Sequence, residues 1–168
     1  IDVAKKMYKD FDAIIVNCFL DPGVRLLKGI IDKPVIGPCE ASLHIASTIS
    51  NKLSIITVGK YGTTWMIEDR VKELGFSDKV ISVRSIPLGV MEIDRERAAV
   101  INYLVEESKK ALSEDGADVI ILGCTGLAGM AKKVQDRVKV PVIDPSGAAI
   151  KVAEAIVKLG LFNVLVRR

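Results

Sequence analysis

ADVIILGCTGLAG, Ala117 to Gly129, decides the fold. Its run Val119-Ile120-Ile121-Leu122 is apolar without alternation, the pattern of a strand covered on both faces of a parallel sheet. Gly123-Cys124-Thr125-Gly126 follows at the carboxyl end, and Leu127 to Arg137 reads as a helix. In open α/β sheets ligands bind outside the carboxyl ends of the strands, where backbone N–H groups at a helix start can face an anion. A lone buried cysteine is usually a small hydrophobe filling a gap. Its place at a strand end makes Cys124 a candidate for chemistry.

An internal repeat sharpens that reading. FDAIIVNCFLDPG, Phe11 to Gly23, aligns with ADVIILGCTGLAG at an offset of 106, which pairs Asp12 with Asp118, Ile14 with Ile120, Cys18 with Cys124 and Gly23 with Gly129. After one inserted residue, KPVIGPCEAS, Lys33 to Ser42, aligns with VPVIDPSGAA, Val140 to Ala149, at an offset of 107. Each half thus reads as strand, cysteine turn, helix, short strand after a proline, and long helix. Related halves packed about a pseudo-twofold axis bring equivalent strand ends to a shared cleft. Cys18 and Cys124 are expected to face each other across it.

A chain of 168 residues is long enough for a substantial core. Its net charge of +3 is spread over 24 basic and 21 acidic residues with no basic cluster among aromatics, so no nucleic-acid role is expected. No segment has the length of apolar sequence a membrane span needs, and IDVAKKMYKD at the start lacks a signal peptide's apolar core. The chain reads as soluble and cytoplasmic, with no membrane partner. Three cysteines and one histidine make neither a disulfide framework nor a zinc site, so free thiols and no metal are expected. A single glutamine, four asparagines and abundant Ile, Val, Lys and Glu match the bias of hyperthermophile proteins.

Strands are expected over Asp12 to Cys18, Pro34 to Ile36, Leu53 to Val58, Val80 to Ile86, Asp118 to Leu122 and Pro141 to Ile143. Helices are expected over Gly23 to Ile31, from Gly37 to about Ser50, and over Thr63 to Leu74, Arg95 to Ser113 and Gly147 to Leu159. Trp65, Ile67, Val71 and Leu74 are read as one apolar face, and Ile101, Leu104, Val105, Ser108 and Leu112 as the inward stripe of the longest helix. Asp21-Pro22 reads as a helix cap followed by proline at the first helical position. Strands alternating with helices give an α/β fold of two pseudo-symmetric lobes, each a parallel sheet covered by helices, with the active site between them. The expected division is residues 1–52 for a first lobe, 53–145 for a second, and 146–168 for a C-terminal helix and tail packing back on the first. Gly59-Lys60-Tyr61-Gly62 resembles a phosphate loop only superficially, lacking the first glycine and the GK[ST] ending. Lys60 and Tyr61 either border the pocket or, the favoured reading, sit in an exposed loop.

Four ordered stretches resemble the Asp/Glu/hydantoin racemase superfamily, specifically its hydantoin racemase branch. They are NCFLDPG (Asn17 to Gly23), PVIGPCEAS (Pro34 to Ser42), GCTGLAGM (Gly123 to Met130) and PVIDP (Pro141 to Pro145). The resemblance implies a cofactor-independent racemase, usually a homo-oligomer, with one catalytic cysteine from each lobe, and these fall on Cys18 and Cys124. Two departures stand out. Relatives open with a further strand ending in an Asn-Pro-Asn-Thr-like turn that this chain does not contain; either the chain is a fragment or the family's first segment is absent here, and in both cases an incomplete substrate site is expected. Gly126 stands where amino-acid racemases of this kind tend to carry glutamate, which favours a neutral cyclic substrate.

Racemisation removes a proton from a chiral carbon and returns one to the opposite face, so two acid/base groups must flank a planar intermediate. A thiol, with a reference pKa of ~8.5 that a helix N-terminus lowers, suits that work. In a 5-substituted hydantoin the developing charge spreads onto the neighbouring carbonyl oxygen, which needs N–H donors. The amides of Phe19, Thr125 and Gly126 and the Thr125 hydroxyl are the candidates. Cys39, aligned with Ser146, is expected to line the pocket beside Pro38 and Glu40. Glu40 is read as a helix-start charge or a substrate contact, His44 as locally packed, Asp21 as a cap, and Asp144 as either a turn former or a substrate-facing group. The alternatives are an aspartate- or glutamate-type racemase, a decarboxylase or cis–trans isomerase of the same superfamily, and a non-catalytic small-ligand binding protein. A dithiol redox role would need the two sulfurs close enough to bond.

Overall fold

The strand β5 (Val119–Leu122) lies inside a parallel four-stranded sheet of order β4-β3-β5-β6. Its neighbours are β3 (Leu53–Val58) and β6 (Val142–Ile143), and β4 (Val80–Ile86) forms the far edge. The computed structural model describes residues 1–59 and 62–163; Lys60, Tyr61 and residues 164–168 of the expected tail lie outside them. Every residue of β3 and β5 is buried. Successive side chains leave opposite faces of a strand, and both faces are covered. Ile56, Val58, Ile120 and Leu122 join the core beneath α5 (Arg97–Lys110) and α6 (Ala131–Val138). Leu53, Ile55, Val119 and Ile121 join the core beneath α3 (Pro38–Ser47) and α4 (Thr64–Glu73). Two apolar surroundings on one strand explain the unbroken VIIL.

A second parallel sheet holds only β1 (Ile14–Ile15) and β2 (Val35–Ile36), with Ile14 opposite Val35. Val24 and Leu27 of α2 (Val24–Ile30) cover one face, with Ala4 of α1 (Asp2–Met7) beside them. Ala41 of α3 and Ala148, Ala149 and Ala153 of α7 (Pro145–Lys158) cover the other. The chain's last described helix therefore lies on its first strands. The molecule is an α/β fold of two parallel sheets flanked by helices, as the sequence predicts.

Several boundaries differ from expectation. β1 is two residues long, not seven, because its one partner, β2, offers only two residues to pair with. Neither cysteine abuts an α-helix: α2 begins at Val24 after Gly23 (φ 76), and α6 at Ala131 after a 3₁₀ turn over Thr125–Leu127 and Gly129 (φ 79). These two left-handed glycines align in the repeat and close both turns alike. α5 starts at Arg97 and passes into a π-turn over Ala111–Asp115. Its buried stripe contains Leu104, Val105 and Ser108 as expected, with Val100 in addition. Trp65 is 59% exposed while Ile67 and Val71 are buried. Residues two apart on a helix point to nearly opposite sides, so Trp65 cannot share their face. Among the described residues no helix is long and apolar enough to cross a membrane.

Candidate active site

Cys124 stands where β5 ends against β3. The Gly123 N–H donates to the Ile56 carbonyl at 2.8 Å, and the Thr57 hydroxyl donates to the Gly123 carbonyl at 2.9 Å. A Cβ on Gly123 would lie 2.8 Å from Ile55 Cγ2 and 2.9 Å from Thr57 Cβ, so only glycine lets the strand pass this closely. Cys124 then takes the cap position of the 3₁₀ turn. Burial raises its thiol pKa above the ordinary value, the Gly126 and Leu127 amides facing the sulfur pull it back, and a charge on Cys18 raises it again.

Cys18 lies three residues beyond β1 in a looser setting and is exposed. Its N–H donates to the Val16 carbonyl at 2.7 Å, and its carbonyl accepts from the Asp21 N–H at 2.9 Å. The turn leaning on Cys124 is joined to it through Asn17: the Thr125 hydroxyl donates to the Asn17 carbonyl at 3.3 Å, and the Ser146 hydroxyl donates to Asn17 Oδ1 at 3.2 Å.

These contacts bring Cys18 and Cys124 to one cleft of about 310 Å³. Phe19, Thr125 and Gly126 line it with them, and Leu20, Val58, Met66, Ile67 and Val90 supply an apolar wall. Apart from the two thiols, no ionisable side chain lines the cleft among the described residues. A larger cavity of about 780 Å³, beyond Leu20, is lined by Asp21, Arg25, Lys28 and Arg70 and holds neither cysteine. Among the described residues no group of three or more His, Cys, Asp or Glu side chains is placed to hold a metal.

The remaining candidates fall as follows. Cys39, expected on the pocket, is fully buried in the core with Phe19 and Leu43. Burial, with Asp21 nearby, drives its thiol far above the range in which it would ionise. It sits at the second position of α3, and the inward side of that helix carries it under Phe19 and away from the cleft. Gly126 lines the cleft, and its amide lowers the Cys124 thiol pKa. A Cβ there would meet Ile93 Cδ1 at 2.8 Å, so a longer side chain at 126 requires Ile93 to move. The Thr125 hydroxyl is spent on Asn17. Glu40 pairs with Lys28 at 2.6 Å, and His44 packs edge-on to Phe76 at 5.0 Å.

Asp21 caps a helix, but α3 and not α2, whose cap is Gly23. Asp144 caps α7 and also accepts from the Gly129 N–H at 2.6 Å, which makes it a turn former. Lys60 and Tyr61 lie outside the described residues. Sequence reasoning missed Asn17, Thr57, Met66 and Val90 as parts of the site. Asn17 had a signal: it precedes one cysteine and aligns with Gly123, which precedes the other.

A family model described as Asp/Glu/Hydantoin racemase matches residues 1–153. A hydantoin racemase from Pseudomonas sp. (strain NS671) is 38% identical over 159 residues, covering 95% of this chain and 64% of that protein. Among solved structures, an allantoin racemase from Klebsiella pneumoniae superposes with a TM-score of 0.89 at 30% identity, covering 96% of this chain and 66% of that one. An allantoin racemase from Pseudomonas fluorescens superposes with a TM-score of 0.88 at 34% identity, covering 94% and 66%. The chain thus spans just under two thirds of the length of these relatives.

Proposed function

The chain belongs to the Asp/Glu/Hydantoin racemase family, and on that premise we propose that it racemises 5-substituted hydantoins or related cyclic ureides such as allantoin, with Cys18 and Cys124 as its two acid/base groups and no cofactor. For one enantiomer the thiolate of one cysteine takes the C5 proton, and the C–H electron pair moves onto the adjacent carbonyl oxygen. The thiol of the other cysteine then gives its proton to the opposite face of C5 as the carbonyl reforms. The two sulfurs end with their protonation states exchanged, and the mirror-image substrate runs the steps in reverse. The amides of Phe19, Thr125 and Gly126 serve the developing oxyanion.

The observation that carries the reading is that two thiols 106 residues apart line one cleft, where a charge on Cys18 raises the pKa of Cys124. Two thiols in one cleft supply the two acid/base groups that a two-base exchange needs, one as thiolate and one as thiol. The uncharged lining among the described residues favours a neutral ring over the dicarboxylate of an aspartate or glutamate racemase and over the acidic substrate of a decarboxylase.

The test is the optical rotation of a single-enantiomer 5-substituted hydantoin in deuterated water, with proton NMR at C5. Rotation decaying to zero as deuterium enters C5 is the expected result. Substrate recovered with its rotation and its C5 proton intact overturns the proposal.

A further inference from the structure

Both cysteine turns are tied to the start of a following helix by a carboxylate, but the two carboxylates come from opposite sides of the same junction. In the second half Asp144, the cap of α7, accepts from the Ser146 and Gly147 N–H groups through Oδ1, each at 3.0 Å. Its Oδ2 accepts from the N–H of Gly129, which closes the Cys124 turn. In the first half the residue aligned with Asp144 is Gly37, the cap position of α3, which has no side chain to offer. Asp21, inside the Cys18 turn, fills the role from the other side. Its Oδ1 accepts from the Cys39 N–H and its Oδ2 from the Glu40 N–H, each at 3.0 Å. Cys39 and Glu40 align with Ser146 and Gly147.

The exchange is sterically exclusive. A Cβ on Gly37 would lie 2.5 Å from each Asp21 carboxylate oxygen, so an aspartate at both positions would not fit. Asp21 is 4% exposed, and Arg70 of α4 reaches its Oδ2 at 3.3 Å. Its backbone is left-handed (φ 52), a conformation that aspartate adopts more readily than most non-glycine residues. From that position its N–H holds the Cys18 carbonyl.

We propose that Asp21 is a positioning residue for Cys18: its carboxylate fastens the 18–23 turn to the first turn of α3 and so sets where the thiol stands opposite Cys124. Asp144 performs the same service for Cys124. The consequence for turnover rests on the racemase reading above; the consequence for the thiol does not.

The experiment compares Asp21→Gly, the exchange Asp21→Gly with Gly37→Asp, and Asp21→Gly with Gly37→Ser. Glycine keeps the left-handed backbone at 21 without a carboxylate. Aspartate at 37 has the extended backbone that Asp144 uses, whereas serine there can cap α3 but is too short to reach the turn. The readouts are thermal midpoint, racemisation rate, and the iodoacetamide labelling of Cys18 relative to Cys124 in the same molecules by peptide mass mapping. Asp21→Gly is expected to change the labelling ratio severalfold and to lower kcat by about 10²-fold, the scale of an ångström's misplacement. The aspartate exchange restores midpoint, ratio and rate, while the serine variant restores the midpoint alone. A native ratio in Asp21→Gly overturns the proposal, and so does a serine variant that restores the ratio as well as aspartate does. Should Asp21→Gly not fold, the two double variants still decide between a cap and a positioning role. A racemase reading that fails abolishes the rate readout and leaves the labelling ratio to stand or fall by itself.

Discussion

The turn 18–23 and the turn 124–129 are copies of one motif set in different surroundings. The second leaves β5, four residues buried on both faces in the interior of a four-stranded sheet. The first leaves β1, two half-buried residues in a sheet of two strands. Cys124 is accordingly half-buried and its thiol pKa raised by burial, whereas Cys18 is exposed. Duplication supplies matching geometry, and unequal burial then makes the two thiols chemically unlike.

The comparison breaks most visibly if one turn can work without the other. Cys18→Ser and Cys124→Ser are each expected to lower racemisation by about 10² to 10⁴-fold, the span of acid–base catalysis by a positioned side chain. Near-native turnover by either variant would leave a single functional turn. The next contrast is steric. Gly123→Ala drives a methyl against Ile55 and Thr57 and is expected to cost about 1–3 kcal/mol in urea denaturation. Asn17→Ala at the aligned, exposed position loses one exposed hydrogen bond and is expected to cost about 1 kcal/mol or less. Equal losses would mean that the tight fit of β5 against β3 does not distinguish the halves.

The smallest effect is a labelling order. A raised thiol pKa leaves less thiolate at a given pH, so near neutrality Cys18 should react with iodoacetamide before Cys124. The Cys124 rate should climb only above the ordinary thiol value of ~8.5. Simultaneous labelling with one shared midpoint would erase the difference in burial.

What could be read from the chain was what repeats or alternates locally. The unbroken VIIL of β5, the 106-residue offset and the matched glycines 23 and 129 put both cysteines in turns that follow the strands, Cys124 two residues after β5 and Cys18 three after the shorter β1. What escaped depends on contacts between distant residues. Asp21 beside Pro22 has the local signature of a cap for α2, yet its carboxylate serves amides 18 and 19 residues away. Cys39 follows a proline at a helix start, as a pocket residue would, but which way α3 faces is set by the sheet it lies on. The hydrogen bonds that bind Asn17 to Thr125 and Ser146 span more than a hundred residues and leave no periodic trace.

The placement of α7 also bears on how the two sheets come to fold. The four-stranded sheet draws all its strands from one contiguous stretch, Leu53 to Ile143, and its α5 and α6 come from within it. The two-stranded sheet, although first in the chain, presents Ile15 and Ile36 to a face that Ala148, Ala149 and Ala153 cover. Ile15 and Ile36 are thus joined to residues more than a hundred positions away in sequence. Contacts of such long sequence separation close late and slowly. The Cys18 turn is therefore expected to settle after the Cys124 turn, an order that pulsed hydrogen exchange during refolding would read.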